Sequence, residues 1–179
     1  MPVEMTVDSV RVDTLSHSCF VLLKQPDQER YLPIAIGPAE ATAIAVRLKP
    51  VDFPRPLTHD LLCTTIAALG GRVTRILIHD LTGGIFYARV VLAVNGRQSE
   101  VDSRPSDAIA LAIRLDVPIL VNESVLDQAG IVPEGTTQER PAAAEAPVSE
   151  EQLGAFRDVI ARLNLDDLGG KPNPDPSGG

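Results

Sequence analysis

Residues 73–103 read VTRILIHDLTGGIFYARVVLAVNGRQSEVDS, and this stretch decides the fold class. Two runs rich in β-branched and aromatic residues flank the turn signal Thr82–Gly84. A third run follows Asn95–Gly96, the dipeptide most typical of a tight hairpin. The pattern predicts three consecutive antiparallel strands. Such a meander is typical of α+β proteins rather than of folds in which strands and helices alternate strictly.

Further strands and helices are predicted on both sides of this meander. Alternating polarity and a central turn predict strands before it, and apolar residues at helical spacing predict helices. Pro38 begins one helix, whereas Thr58 is the expected N-cap of another that stops at Gly70–Gly71. We therefore predict an α+β fold with a mixed, mostly antiparallel sheet and three to four helices, in one domain followed by a C-terminal helix. The predicted elements outside the meander are a strand at 3–13, a hairpin at 19–36, helices at 39–48, 58–69, 105–115 and 123–129, and a strand at 118–122.

The composition divides the chain into a body and a tail. Residues 1–130 form the predicted domain, and the stretch 131–148 is rich in Pro, Ala, Thr and Glu, which predicts a flexible linker. Leu153, Phe156, Val159, Ile160 and Leu163 then form one apolar stripe, so an amphipathic helix is expected at 149–168. Residues 169–179 are expected to be a disordered tail. The helix could dock on the body, join a dimer contact or bind a protein partner.

Length and composition exclude several classes of protein. The 179 residues, 44% of them hydrophobic, suffice for a core, and no apolar run is long enough to span a membrane. We expect no signal peptide, because the first residues lack a basic segment followed by an apolar one. The two cysteines, Cys19 and Cys63, lie far apart and suit a reducing compartment. These features predict a cytoplasmic protein.

The charge distribution bears on possible ligands. The net charge is −8; residues 1–130 hold 12 basic and 15 acidic side chains, whereas residues 131–179 hold 4 and 9. A broad basic surface for nucleic acid is therefore not expected, although a local arginine cluster on the body is compatible with the composition. Four Phe, two Tyr and no Trp give little support to a base-stacking platform.

Polar residues concentrate where the predicted helices begin. No Walker A loop, GxSxG, HExxH or dinucleotide-binding fingerprint is present. A helix start attracts anions and also favours acidic caps, so the same residues suit a functional site or a structural one. The residues in question are Glu40, Arg55, His59, Asp60, Asp102, Arg104, Ser106 and Asp107.

Two interpretations of these residues are possible. In the functional one, carboxylates hold Mg²⁺ or Mn²⁺, His59 transfers a proton, and Arg55 and Arg104 hold a phosphate. In the structural one, the acids cap helices and Arg104 forms a bridge to a carboxylate that fixes the loop. The metal ligands predicted by the functional interpretation are Glu40, Asp60, Asp102 and Asp107.

Four stretches of the sequence resemble the bifunctional nuclease domain family. The resemblance covers about residues 5–130, and the most specific motifs are RPLTHDL and DSRPSDAIAL. It implies an α+β fold on a mixed sheet, assembly into dimers or larger oligomers, and nuclease activity on DNA and RNA. It also implies that the eight polar residues named above lie in shared motifs. The matching stretches are LPIAIGPAEATAIAV (32–46), RPLTHDLL (55–62), GGIFYARVVL (83–92) and VDSRPSDAIALAIRLDVPILV (101–121).

The expected function is therefore a metal-assisted nuclease that acts on DNA, RNA or both and forms a homodimer or a larger homo-oligomer. The alternative is a non-catalytic homo-oligomeric interaction module whose charged motifs are structural. For the nuclease, the catalytic residues are expected to be His59, Asp60 and Asp107, and the substrate-binding residues Arg55, Arg104 and Ser106.

Overall fold

A computed structural model describes residues 1–13, 15–49 and 53–133 of the chain. The elements follow one another in the order that the sequence predicts, and the α+β class is confirmed. They are β1 (Pro2–Val12), β2 (Cys19–Lys24), β3 (Tyr31–Ile36), α1 (Pro38–Leu48), α2 (Thr58–Ala68), β4 (Gly71–Thr82), β5 (Ile85–Val94), β6 (Arg97–Ser103), α3 (Pro105–Leu115), β7 (Ile119–Asn122) and α4 (Glu123–Ala129).

The strands form one mixed sheet of seven strands in the order β3-β2-β1-β7-β4-β5-β6. Five of the six neighbouring pairs are antiparallel, and β4 with β7 is the parallel pair. The meander β4-β5-β6 has the predicted hairpins, with Gly83 and Gly84 at positive φ in the first turn. Strand β7 lies between the meander and β1, and so joins the two antiparallel halves into one sheet.

One face of the sheet forms the core. Side chains alternate along a strand, and Val21, Ile76 and Ala88 are fully buried on this same face, whereas Val91 is buried on the other face. Ile44 of α1 and Ile109 of α3 belong to the same apolar cluster. Helix α3 is the most deeply buried helix, because its run of alanines allows close approach to the sheet and to the other helices. The starts of α1, α2 and α3 therefore lie above the core-forming face.

Helix α2 begins at the predicted residue, Thr58, but with a different N-cap. The N-cap is Leu57 rather than Thr58, which is the first helical residue. The difference follows from Asp60, because its carboxylate accepts a hydrogen bond of 2.9 Å from the Leu57 backbone N–H. A residue within the first turn thus provides the capping hydrogen bond. The predicted stop is confirmed by Gly70, which has a φ of +78°.

The described residues extend slightly past the predicted domain boundary at residue 130. Ile131, which the sequence assigns to the linker, exchanges two backbone hydrogen bonds of 2.8 Å with Tyr31 and so extends the sheet edge by one bridge. The rest of the predicted linker, the helix at 149–168 and the tail at 169–179 lie outside the described residues, apart from residues 132 and 133. Over the described ranges, no helix has the length and apolar character needed to cross a membrane.

Candidate active site

Each of the helices α1, α2 and α3 has an acidic residue at its third position. Glu40, Asp60 and Asp107 occupy this position after the N-caps Gly37, Leu57 and Arg104. A carboxylate there is favoured by the free N–H groups and the positive end of the helix dipole. At α1 a Cβ at position 37 would meet the carboxylate of Glu40, so a larger residue there would require this carboxylate to move. The sequence thus places one carboxylate in the first turn of each of the three helices.

Arg104 joins two of these carboxylates. Its Nε donates a hydrogen bond of 2.8 Å to Asp107 Oδ2, and its Nη2 donates one of 2.8 Å to Glu40 Oε1. The two charged hydrogen bonds raise the pKa of the guanidinium above its usual range, with the bond to Asp107 the larger cause. The Arg104 side chain is nevertheless 67% exposed, so one side of this cation faces solvent.

His59 contacts the other oxygen of Asp107. Its Nε2 lies 3.1 Å from Asp107 Oδ1, and its side chain is only 12% exposed. Because an ionised carboxylate only accepts hydrogen bonds, Nε2 is the donor toward it, and Nδ1 is then the nitrogen that can accept a proton whenever the ring is neutral. We call Glu40, His59, Arg104 and Asp107 the ion-pair cluster.

Asp107 is the centre of the ion-pair cluster. One of its oxygens accepts from His59 and the other from Arg104, so a single carboxylate orients an imidazole and a guanidinium together. A carboxylate that holds a histidine in one tautomer is the arrangement that general-base catalysis requires. A partly exposed arginine beside it supplies an anion-binding group. The cluster thus combines a potential base and a potential phosphate ligand.

Asp60 belongs to a different pair. Its Oδ1 accepts a hydrogen bond of 2.7 Å from Nε of Arg114, whose side chain is 5% exposed. The backbone N–H of Leu57 and the guanidinium of Arg114 lower the pKa of Asp60, the N–H being the larger cause. The sequence predicts Asp60 in one site with the other acids, whereas in the structure it binds Arg114 of α3 outside that site.

Within the described residues, the remaining predicted site residues form no ion pair or side-chain hydrogen bond with the ion-pair cluster. Asp102 is opposite Arg89 in the β5–β6 register, one position away from the core-facing pair Ala88–Ser103, so it lies on the sheet face turned away from the core. Ser106 is 6% exposed. Arg55 is exposed and lines a cavity beside α2. The structure therefore brings four of the eight predicted residues together and leaves four outside.

The predicted metal ligands do not converge as one set. Among the described residues, no group of three or more His, Cys, Asp or Glu side chains is arranged to hold a metal ion. The physical reasons are the pairing of Asp60 with Arg114 and the position of Asp102 on the far face of the sheet. Glu40 and Asp107 remain together through Arg104.

Sequence reasoning missed Arg114. It lies seven residues after Asp107 in α3, and a separation of two turns places both residues on one side of the helix. That spacing could have identified Arg114 from the sequence, since α2 needs partners along the same side of α3. The Arg114 Nη1 also donates to the Ala110 carbonyl at 2.9 Å, which holds the side chain along its own helix.

Comparisons with known proteins agree with the motifs. A family model described as the bifunctional nuclease domain matches residues 21–134. An uncharacterized protein of Mycobacterium tuberculosis is 40% identical over 92% of this chain and 97% of its own length. Bifunctional nuclease 1 of Oryza sativa subsp. indica is 27% identical over 81% of this chain, and bifunctional nuclease 2 of Arabidopsis thaliana is 27% identical over 60%. The matches cover 43% and 33% of these two plant proteins.

Proposed function

This chain belongs to the bifunctional nuclease domain family, and from this premise we propose that it hydrolyses phosphodiester bonds of DNA, RNA or both at the ion-pair cluster. The observation that supports this location is the double use of Asp107, which orients His59 and Arg104 at once. Plant relatives whose names include nuclease activity support the substrate class.

In the proposed reaction His59 is the general base. Its Nδ1 takes a proton from a water molecule as the water oxygen attacks phosphorus and the bond from phosphorus to the leaving sugar oxygen breaks. The imidazolium that forms is stabilised by Asp107 through Nε2–H, and it returns the proton to the leaving oxygen. The low exposure of His59 keeps competing water away from most of the ring.

Arg104 is the proposed ligand of the scissile phosphate. Negative charge accumulates on the non-bridging oxygens during the attack, and a preoriented guanidinium beside them lowers the barrier. Glu40 and Asp107 hold this guanidinium from one side, while its exposed side remains for the phosphate. Glu40 is thus a positioning residue in the proposed mechanism.

The prediction that Mg²⁺ or Mn²⁺ assists stays a prediction. Mg²⁺ often takes only one or two protein carboxylates together with water and phosphate oxygens, and Glu40 with Asp107 is the pair in this cluster that fits such a role. A bound ion would act as a Lewis acid on the phosphate. Asp60 and Asp102 do not contribute to that pair.

A non-catalytic module is the second candidate, and the ion pairs themselves favour it. Asp107 and Glu40 both bind Arg104, which is the carboxylate bridge expected if the motif only fixes the loop before α3. The two functions differ in what the cluster contributes. A structural cluster raises the free energy of unfolding of the protein, whereas a catalytic cluster raises the rate of phosphodiester cleavage.

A cleavage assay tests the proposed nuclease. Purified protein is incubated with single-stranded and double-stranded DNA and RNA, in Mg²⁺, Mn²⁺ or EDTA, and an Asp107→Asn variant purified identically reveals any contaminating nuclease. We expect cleavage by the wild type that the variant lacks, and the EDTA arm reports metal dependence. Equal cleavage by both proteins, or none by either, would favour the module.

The predicted homo-oligomer leads to a separate test on α2. This helix has no fully buried residue, and Leu61 and Leu62 are 61% and 41% exposed, a larger apolar area than an isolated surface leucine gives. If a second copy covers this side of α2, as an isologous dimer would, Leu61→Asp should convert the protein to a monomer in analytical ultracentrifugation. Leu15→Asp is the matched control, since Leu15 is 72% exposed in the β1–β2 loop. A wild-type monomer, or a dimer unaffected by Leu61→Asp, contradicts this prediction.

A further inference from the structure

A cavity of about 730 Å³ lies beside the first turn of α2, outside the ion-pair cluster. The end of α1, the segment 53–57 and Arg114 of α3 form its walls. Its volume falls in the range of small-molecule sites, about 300–1,000 Å³, and it is widely open to solvent. The proposed reaction uses none of its residues.

The cavity is basic although the protein is acidic. Arg47, Lys49, Arg55 and Arg114 line it, and Asp60 is the carboxylate among the lining residues. Arg114 is neutralised by its ion pair with Asp60. The other three cations are exposed, and within the described residues none of them forms an ion pair. Among the described lining residues the four cations outnumber the single carboxylate by three, and this excess in a chain of net charge −8 favours an anion with several charged groups.

The wall of the cavity is also partly apolar and contains an aromatic ring. Phe53 is 47% exposed, and Pro54 and Pro56 lie beside it in the same segment. An exposed ring next to cations suits a nucleotide, because the ring can stack on a base while the cations bind phosphates. Bases in a duplex are already stacked on one another, so an unpaired base is the better ligand for such a ring.

The cavity and the ion-pair cluster are built on the same helices. Glu40 and Arg47 are seven residues apart in α1, which corresponds to about 10 Å along the axis and the same side of the helix. His59 contributes to the cluster and its neighbour Asp60 to the cavity wall. In duplex geometry the phosphates of one strand are about 3.4 Å apart along the helix axis, and this spacing increases when a single strand is stretched. A segment of a few nucleotides is therefore long enough to reach from the ion-pair cluster to the cavity.

We propose that this cavity binds one unpaired nucleotide and its flanking phosphates in a single-stranded nucleic acid whose neighbouring phosphodiester lies at the ion-pair cluster. Phe53 stacks on the base, and Arg47, Lys49 and Arg55 bind the phosphates. The inference rests on the proposed nuclease function and specifies its substrate as single-stranded. It also adds three residues that the sequence motifs did not single out: Arg47, Lys49 and Phe53.

Fluorescence anisotropy with a labelled single-stranded oligothymidylate tests the cavity directly. All proteins carry Asp107→Asn so that the probe is not cut during the titration. The test variant adds Lys49→Gln and Arg55→Gln, which are exposed changes that should not affect folding. The control adds Arg72→Gln and Arg97→Gln, which remove the same charge from exposed positions outside the cavity.

We expect the Lys49→Gln/Arg55→Gln variant to bind the probe at least tenfold more weakly than the control. The slope of log K against log salt concentration should fall by about 0.7 for each phosphate contact removed. Phe53→Ala should weaken binding about fivefold or more, because each stacked base contributes measurably to affinity. Duplex DNA should bind more weakly than the single strand.

Three results would overturn the inference. The first is an equal loss of affinity in the Arg72→Gln/Arg97→Gln control, which would indicate a general charge effect. The second is an unchanged dissociation constant in the cavity variant or in Phe53→Ala. The third is full competition by inorganic phosphate at millimolar concentration, which would mean that a bare phosphate fills the cavity.

Failure of this inference is distinguishable from failure of the proposed function. If Asp107→Asn abolishes cleavage but the cavity variant binds the probe normally, the nuclease stands and the cavity is not its substrate site. If Asp107→Asn retains cleavage while the cavity variant loses binding, the cavity stands and the hydrolytic centre lies elsewhere.

Discussion

Asp107→Asn is expected to reduce phosphodiester cleavage by about 10⁴-fold, the loss typical of removing the carboxylate behind a histidine base. With its amide oxygen toward Arg104, the asparagine turns its NH₂ group toward Nε2 of His59. The imidazole must then accept at Nε2 and carry its proton on Nδ1, so it can no longer act as a base there. The single-turnover rate on a saturating oligonucleotide is the measurement.

The variant should remain folded. Arg104 is 67% exposed and Asp107 29% exposed, and exposed ion pairs contribute about 1 kcal/mol or less to the free energy of unfolding. Urea unfolding of both proteins at pH 7 measures this contribution. If the wild type does not cleave nucleic acid and Asp107→Asn lowers the free energy of unfolding by several kcal/mol, the result would instead support the structural module.

Asp60→Asn is the matched control for this experiment. Asp60 follows His59 in the same turn and is also bound to an arginine, but its partner is Arg114 and it lies outside the ion-pair cluster. We expect this variant to retain cleavage within a few-fold of the wild type. A loss as large as that of Asp107→Asn would restore the catalytic and metal-binding role that the sequence predicts for Asp60.

Asp60→Ala is expected to give the largest change in stability, a decrease of about 3 kcal/mol in the free energy of unfolding at pH 7. Its partner Arg114 is 5% exposed, and a buried charge that loses its counter-ion is costly, about 3–5 kcal/mol when both groups are buried. Asp60 is 42% exposed, so the lower end of that range applies. The Leu57 backbone N–H also loses its acceptor.

The same variant should show a defined pH dependence. The pKa of Asp60 is lowered in the folded protein, so folding favours its charged form. The resulting stability is fully present above the unfolded-state pKa of about 3.9 and is lost as the pH falls through the lower folded-state pKa. Urea unfolding at pH 7 and near pH 3 should show the difference from wild type shrinking in acid. Asp27→Ala, in the exposed β2–β3 turn, is the control for the removal of an aspartate.

The fold could be predicted from the sequence because its signals are local. Asn95–Gly96 and the glycine pair at 83–84 define the meander, and the prolines at the starts of α1 and α3 define those helices. The position of β7 was not predicted, because the insertion of a strand between β1 and β4 depends on long-range pairing. Parallel pairing of Ile76 with Ile119 leaves no signature in either segment alone.

The site was only partly predictable for the same reason. The motifs identify which side chains are polar and begin a helix, and four of them do meet. They do not reveal which acid pairs with which arginine. Arg104 selects Asp107 and Glu40, whereas Arg114 selects Asp60, and this choice depends on how α2 crosses α3. Asp102 is excluded by strand alternation, which becomes informative once the register with Arg89 is known.

Helix α2 binds side chains of α3 through two consecutive residues, His59 toward Asp107 and Asp60 toward Arg114. Consecutive residues in a helix point about 100° apart, so the angle between the two contacts is set by the backbone. Rotation or sliding of α2 would disturb both contacts together. An engineer who wishes to transplant this centre, or to change the length of the connection before α2, must therefore treat α1, α2 and α3 as one inseparable module. A grafted RPLTHDL motif alone would contain the same residues but would not place His59 against Asp107 and Asp60 against Arg114.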